Sequence, residues 1–151
     1  MEVFDSAKAA GVWQRVQGNS TQSRPEEGLL ELIFRESEDA EIYLQLSRNF
    51  QGKAAQFLRK MYQEEQAHAA CLRGIYTLIT GKRAGTASPK LNPDTPERIL
   101  RKCYGREMRC LAQYEQRIHD PEYGQVFSKL ADQEREHCRM ILELLGGLLK
   151  G

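Results

Sequence analysis

The sequence lacks the long apolar run that a membrane-spanning helix requires. No stretch approaches the roughly 18 consecutive apolar residues of such a helix. The first five residues, MEVFD, are acidic where a signal peptide would be basic. We therefore expect a cytoplasmic protein with no membrane partner.

The chain also has little net charge. Its 22 lysine and arginine residues against 21 aspartate and glutamate residues leave a formal charge of +1. Nucleic acids attract proteins through clustered positive charge, and so do anionic membranes. A nearly neutral chain gives no electrostatic reason to expect nucleic acid as a partner.

Cysteine is scarce and never occurs as a Cys-x-x-Cys pair. The four cysteines are Cys71, Cys103, Cys110 and Cys138. This spacing argues against a zinc-ribbon or rubredoxin-type site. We expect buried, unpaired thiols in a reducing compartment, because free cysteine packs as a small apolar side chain.

Helical patterns cover most of the chain, and no segment reads convincingly as a strand. A short amphipathic helix is predicted at about residues 3–17, within an N-terminal segment of residues 1–24. Residues 25–151 form the predicted main domain. Its four helices are expected at about residues 25–50, 52–80 and 95–119, and from beyond Pro121 to the Gly146–Gly147 pair.

The connection at residues 81–96 indicates how these helices are arranged. It holds three prolines and two glycines, so it is predicted to be a loop. At about 3.3 Å per extended residue it reaches roughly 53 Å, which is enough to run the length of a long helix. We therefore predict an all-α, ferritin-like four-helix bundle, in which a long crossover joins two antiparallel hairpins.

A repeated polar pattern is the most informative feature of the chain. Each half carries a Glu-x6-Tyr pair, then a chain reversal, then a Glu-x-x-His motif. The two glutamates of each half are 29 and 27 residues apart. The repeated residues are Glu36, Tyr43, Glu65 and His68 in the first half, and Glu107, Tyr114, Glu134 and His137 in the second.

The repeated glutamates and histidines are predicted to lie inside the bundle at one level. They occupy the apolar side of each helix and lie roughly 21–26 Å from the hairpin turns in the first half, with a matching placement in the second. Buried carboxylates cost several kcal/mol each unless a cation compensates them. Four carboxylates balance two divalent ions, so the pattern predicts a di-metal site.

Several alternatives remain open at this stage. Glu115 is a rival to Glu107, and a metal-free bundle with satisfied core histidines is a rival to the metal site. We expect His119 at the surface, and we expect a solvated helix face to carry three further acidic residues, Glu38, Asp39 and Glu41.

These motifs resemble those of the ferritin-like superfamily, above all the di-iron domain of the rubrerythrins, over about residues 25–145. The resemblance rests on RESE at 35–38 with Tyr43, QEEQAHA at 63–69, Glu107 with Tyr114, and DQEREH at 132–137. It implies terminal ligands at Glu36 and Glu107, bridging ligands at Glu65 and Glu134, one histidine per metal at His68 and His137, and carboxylate-orienting hydrogen bonds from Tyr43 and Tyr114.

The chain departs from the rubrerythrin pattern at one position and in one domain. Rubrerythrins carry an extra glutamate one turn after the third-helix ligand, where this chain has Cys110. The given sequence contains no rubredoxin domain, so electrons would come from a separate donor such as a rubredoxin-like protein.

The resemblance implies a metal-dependent oxidoreductase, and two other functions remain as alternatives. We expect two iron ions, with manganese or zinc possible, in an oxidoreductase that reduces hydrogen peroxide or O2, and a homodimer as the oligomeric state. The alternatives are ferrous iron oxidation with storage or delivery, and a metal-free structural or interaction bundle.

Overall fold

The computed structural model describes residues 25–85 and 88–150, and in this part of the chain the secondary structure is entirely helical. The helices are α1 (Pro25–Ser47), α2 (Gly52–Thr80), α3 (Pro96–Glu115) and α4 (Gly124–Lys150). The predicted fold class is confirmed. The predicted N-terminal helix lies outside the described residues. No helix in the described ranges is long and apolar enough to cross a membrane.

Local signals set most helix ends. At the end of α2, Gly81 adopts a left-handed backbone with φ 71°, and its N–H donates to the carbonyl of Thr77 at 2.8 Å. Glycine suits this position because it has no Cβ to clash. At the start of α3, the Thr95 side chain accepts the N–H of Arg98, and Pro96 fills the first turn.

The ends of the last two helices differ from the sequence-based expectation. Helix α3 ends at Glu115 rather than near 119, because the following residues form tight turns before α4. Helix α4 continues through the Gly146–Gly147 pair to Lys150. Each glycine weakens a helix by only about 1 kcal/mol relative to alanine, so a pair of them does not have to end it.

The four helices form two hairpins joined by a crossover. Helix α1 packs along α2, and α3 packs along α4. In the crossover, Lys90 to Asp94 line a groove of about 420 Å³ together with Ile42 of α1 and Asn49 just beyond its end. The chain thus leaves α2 at one end of the bundle and enters α3 at the other.

The buried apolar side chains form two separate clusters. The first cluster comprises Leu29, Leu32, Ile33, Leu72, Ile75, Cys110, Leu111, Tyr114, Phe127, Leu130 and Ala131. The second comprises Tyr43, Leu46, Leu58, Met61, Leu100, Cys103, Met140, Ile141 and Leu144. Both clusters draw on all four helices, and the repeated glutamates and histidines lie between them in sequence on every helix.

The burial of each cysteine depends on the face of the helix that carries it. Cys103, Cys110 and Cys138 are buried and unpaired, as predicted, but Cys71 is exposed. The expectation that all four are buried was therefore wrong. Leu72 faces the core of α2, and its neighbour Cys71 is rotated by about 100° around the helix axis toward solvent.

We predict that Gly124→Ala destabilises the bundle. A Cβ at this buried position would lie 2.3 Å from the backbone oxygen of Ile118, which no side-chain rotation relieves. We expect the free energy of unfolding to fall by about 1–3 kcal/mol in urea titrations.

The control for this prediction is Gly74→Ala. A Cβ on Gly74, within the C-terminal part of α2, meets nothing within 4 Å. Alanine there should raise the free energy of unfolding by up to about 1 kcal/mol. Equal effects of the two substitutions would contradict the steric explanation.

Candidate metal centre

The eight residues of the sequence repeat meet in one buried layer of the bundle. The four glutamates, both tyrosines and His137 are 0% exposed, and His68 is 2% exposed. Such burial of four carboxylates is unusual, because ionised groups strongly prefer water. The structure brings together every residue that the sequence proposed for the site.

Two groups of side chains in this layer have the geometry to hold a metal ion. In each, the candidate ligand atoms lie within 4.8 Å of one another. The first group is Glu36, Glu65, His68 and Glu134; the second is Glu65, Glu107, Glu134 and His137. Because Glu65 and Glu134 belong to both groups, the two positions adjoin and share two carboxylates.

Each histidine directs its Nδ1 atom into this layer. His68 Nδ1 lies 3.1 Å from Glu134 Oε1 and 3.3 Å from Glu36 Oε2. His137 Nδ1 lies 2.5 Å from Glu65 Oε1 and 3.5 Å from Glu107 Oε1. Nδ1 is therefore the atom of each ring that is available to a metal.

The two tyrosines cross between the hairpins. The hydroxyl of Tyr43 on α1 donates to Glu107 Oε1 on α3 at 2.5 Å. The hydroxyl of Tyr114 on α3 donates to Glu36 Oε1 on α1 at 2.6 Å. Burial raises the pKa of both tyrosines well above 10, so both hydroxyls keep their protons and each fixes one carboxylate oxygen.

The carboxylates hold both histidines in the charged form when no cation is bound. Burial opposes the charge, but contacts with the carboxylates of Glu134 and Glu65 outweigh it and raise the pKa of His68 to about 10. The same balance, with Glu64 as an additional partner, raises the pKa of His137 to about 12. At neutral pH a proton therefore occupies the Nδ1 atom that a metal would use.

The two shared glutamates differ in how readily they ionise. Burial opposes ionisation of Glu65, but contacts with His137 and His68 lower its pKa below the usual value. Burial and the nearby charge of Glu65 raise the pKa of Glu134. A cation bound by both carboxylates would offset the energetic cost of burying their charges and would reduce the repulsion between them.

Several buried candidate ligand atoms have no hydrogen-bond partner within residues 25–85 and 88–150. These atoms show whether the site suits a metal ion. They are both carboxylate oxygens of Glu65, Oε2 of Glu107, Oε2 of Glu134 and Nδ1 of His137. His137 Nδ1 and Glu65 Oε1 are close in distance yet are not oriented for a hydrogen bond. Atoms that converge without donating to one another are suited to a common cation, and this donor set fits iron, manganese or zinc.

The structure places two polar residues considered in the sequence analysis at the surface. Glu115, the rival to Glu107, has a side chain that is 47% exposed, and it pairs with Arg135 at 2.9 Å. His119 is exposed, as expected. Glu107 is the carboxylate that α3 contributes to the buried layer.

The expectation for Asp39 was wrong. Asp39 is 1% exposed and accepts a 2.5 Å hydrogen bond from Arg106 Nε on α3. It lies one turn after Glu36, and Arg106 immediately precedes Glu107, so this ion pair borders the buried layer. Burial raises the pKa of Asp39 to about 6 although Arg106 and its hydrogen bond act to lower it.

Two hydrogen-bond partners of the histidines were not predicted from the sequence. His137 Nε2 lies 2.8 Å from Glu64 Oε2, and His68 Nε2 contacts Gln133 Oε1. Each partner directly precedes the glutamate of the other Glu-x-x-His motif. The sequence did offer one indication of these partners, because the residue before the motif glutamate is polar in both halves.

Comparison with known proteins agrees with this geometry. The family model described as Rubrerythrin matches residues 27–145, which include all eight residues of the repeat. No curated protein and no solved structure gives a significant match to the chain.

We predict that Glu65→Gln abolishes metal-dependent stabilisation. Gln keeps the shape of Glu65 but removes a charge shared by both groups. In the parent protein, a divalent ion at 1,000 times its Kd should raise the free energy of unfolding by about 4 kcal/mol. The variant should show little increase, and its metal-free form should be as stable as the parent or more so.

Glu115→Gln is the matched control for this substitution. It neutralises an exposed glutamate that the structure places outside the buried layer. Its metal-dependent increase in stability should equal that of the parent, measured by thermal unfolding with and without Mn²⁺. An increase in Glu65→Gln as large as in the control would contradict the assignment of the site.

We also predict that metal binding releases protons. Because both histidines are charged at neutral pH without a cation, each must lose its Nδ1 proton to bind, which amounts to roughly two protons per pair of ions. Affinity should therefore fall as the pH is lowered. Calorimetric titration in two buffers of different ionisation enthalpy measures the number released, and a value near zero would contradict the charge state.

Proposed function

This chain belongs to the rubrerythrin family, and we propose that it binds two iron ions and reduces hydrogen peroxide or O2 to water. One observation carries the proposal: two buried groups of three carboxylates and one histidine share Glu65 and Glu134. Because both groups share these two carboxylates, two ions bound there would be neighbours, and this arrangement suits a two-electron reaction.

The repeat residues supply the ligands in this proposal. Glu36 and His68 would hold one ion, Glu107 and His137 would hold the other, and both ions would share Glu65 and Glu134. When bound, the two iron ions would supply two electrons, which with two protons convert one hydrogen peroxide molecule to two water molecules. Reduction of one O2 molecule to two water molecules takes four electrons and four protons, so two further electrons would be needed. An external donor such as a rubredoxin-like protein would return the electrons.

The role of the protein is to position these ligands and to exclude water. Tyr43 and Tyr114 each donate to one oxygen of a terminal carboxylate and so fix the orientation of Glu107 and Glu36 in the layer. The apolar clusters that flank the layer keep bulk water away, which strengthens every electrostatic interaction inside it. Both tyrosines act here as hydrogen-bond donors that keep their protons.

Cys110 is the reason to keep ferrous iron oxidation as a second candidate function, because it differs from the rubrerythrin pattern on which the peroxidase proposal rests. It stands where rubrerythrins carry an extra glutamate, and burial raises the pKa of its thiol to about 12. A neutral thiol does not replace a carboxylate, so the charge of the cluster comes from four glutamates. Oxidation followed by storage would also require a cage-like oligomer, whereas the peroxidase proposal requires only the expected homodimer.

We predict that the iron-loaded protein reacts faster with peroxide than with O2. The metal-free chain is loaded with two Fe²⁺ per chain without oxygen and then mixed with one equivalent of either oxidant. Growth of the near-ultraviolet ferric absorption gives the two rates. A faster reaction with O2 would favour iron oxidation, and size-exclusion chromatography would then test for a cage.

The control variants separate reaction at the site from reaction in solution. Glu65→Gln should show no fast phase with either oxidant, whereas Glu115→Gln should match the parent. Turnover is then tested with excess reduced rubredoxin as the electron donor. A fast phase in Glu65→Gln would show that the reaction takes place elsewhere, and would sink the proposal.

A further inference from the structure

The outer nitrogen of each candidate ligand histidine contacts a residue from the opposite hairpin. His137 on α4 is bonded to Glu64 on α2, with 2.8 Å between Nε2 and Oε2. His68 on α2 is bonded to Gln133 on α4, through Nε2 and Oε1. The two contacts occupy equivalent places in the internal repeat, since each partner precedes a Glu-x-x-His glutamate.

The two contacts differ in charge. Glu64 is a carboxylate and Gln133 is a neutral amide of nearly the same shape. Lys60 lies 3.7 Å from the other oxygen of Glu64, but its side chain is 60% exposed, so water and salt screen it. The negative charge of Glu64 at the His137 ring is therefore not cancelled.

This difference affects how strongly each ring binds a metal. When Nδ1 holds a metal, Nε2 carries the proton and donates it. A carboxylate acceptor makes a charge-assisted hydrogen bond that withdraws this proton and makes the ring a stronger electron donor. An amide acceptor makes a neutral and weaker bond.

We propose that Glu64 makes the His137 position the tighter of the two metal positions, so that divalent ions fill the His137 position first and the His68 position second. Glu64 is thus a positioning residue that acts through His137. The inference rests on the di-metal binding proposed above. From the usual effect of such outer partners, we expect a 10–100-fold difference in affinity between the positions.

Titration with Zn²⁺ followed by ¹⁵N NMR of the imidazole nitrogens tests this order. Zn²⁺ is diamagnetic and accepts the same carboxylate and imidazole ligands. In the full chain, the His137 signal should shift during the first equivalent and the His68 signal during the second. The exposed His119 serves as an internal reference.

Two matched substitutions exchange the partners without changing their shape. Glu64→Gln should weaken the first step 10–100-fold, so that His137 and His68 shift together. The double variant Glu64→Gln with Gln133→Glu should reverse the order, so that His68 shifts first. Glu64 has a side chain that is 23% exposed, and a metal-free thermal melt checks that each variant is folded.

The outcomes separate this inference from the proposed function. If no histidine shifts in the parent protein, the cluster does not bind metal, and both proposals fail. If two ions bind but the histidines shift together, or if the order survives Glu64→Gln, the role of Glu64 is refuted while the di-metal site stands. A merely structural role for Glu64 would lower the melting temperature and leave the order unchanged.

Discussion

The structure depends on the burial of four carboxylates in an apolar bundle. With all four carboxylates ionised and both histidines charged, the layer would carry a net charge of about −2, and several ligand oxygens have no hydrogen-bond partner among the described residues. Two divalent ions beside neutral imidazoles bring the sum to zero. The cost of burying these charges therefore explains why the site and the fold have to be considered together.

The carboxylates also specify how the two hairpins fit together. Tyr43 on one hairpin donates to Glu107 on the other, and Tyr114 returns the contact to Glu36. A slip of one helical turn, about 5.4 Å, would separate both pairs at once and leave their buried oxygens unsatisfied. The apolar clusters on either side tolerate small shifts far better, because dispersion contacts have little directionality. The buried layer thus fixes the register between the two hairpins, which the apolar clusters alone would not specify.

The helical periodicity and the long connection at residues 81–96 were enough to predict the fold, and the repeat was enough to place its residues at one level, because both depend on local spacing. Helical periodicity places Glu65 and His68 on one face, and the distance to the turn places them at the level of Glu36. The burial of Asp39 could not be predicted in this way. It depends on Arg106, which is 67 residues away and on another helix. The same limit applies to Glu64, whose spacing shows a polar residue beside a ligand but not the histidine on α4 that it contacts.

The internal repeat is close to symmetric in its ligands and asymmetric in what surrounds them. Asp39 follows Glu36 by three residues, whereas Cys110 follows Glu107 by three. Asp39 is paired with Arg106 at 2.5 Å, and Arg106 also lies 3.2 Å from Glu38, so one guanidinium faces two carboxylates in this cluster. The carboxylate of Glu64 is different, because it contacts a candidate ligand histidine directly while Lys60, which pairs with its other oxygen, is exposed to solvent. The partner of His137 therefore creates a charge difference in direct contact with a candidate ligand, since the matching contact of His68 is to a neutral amide.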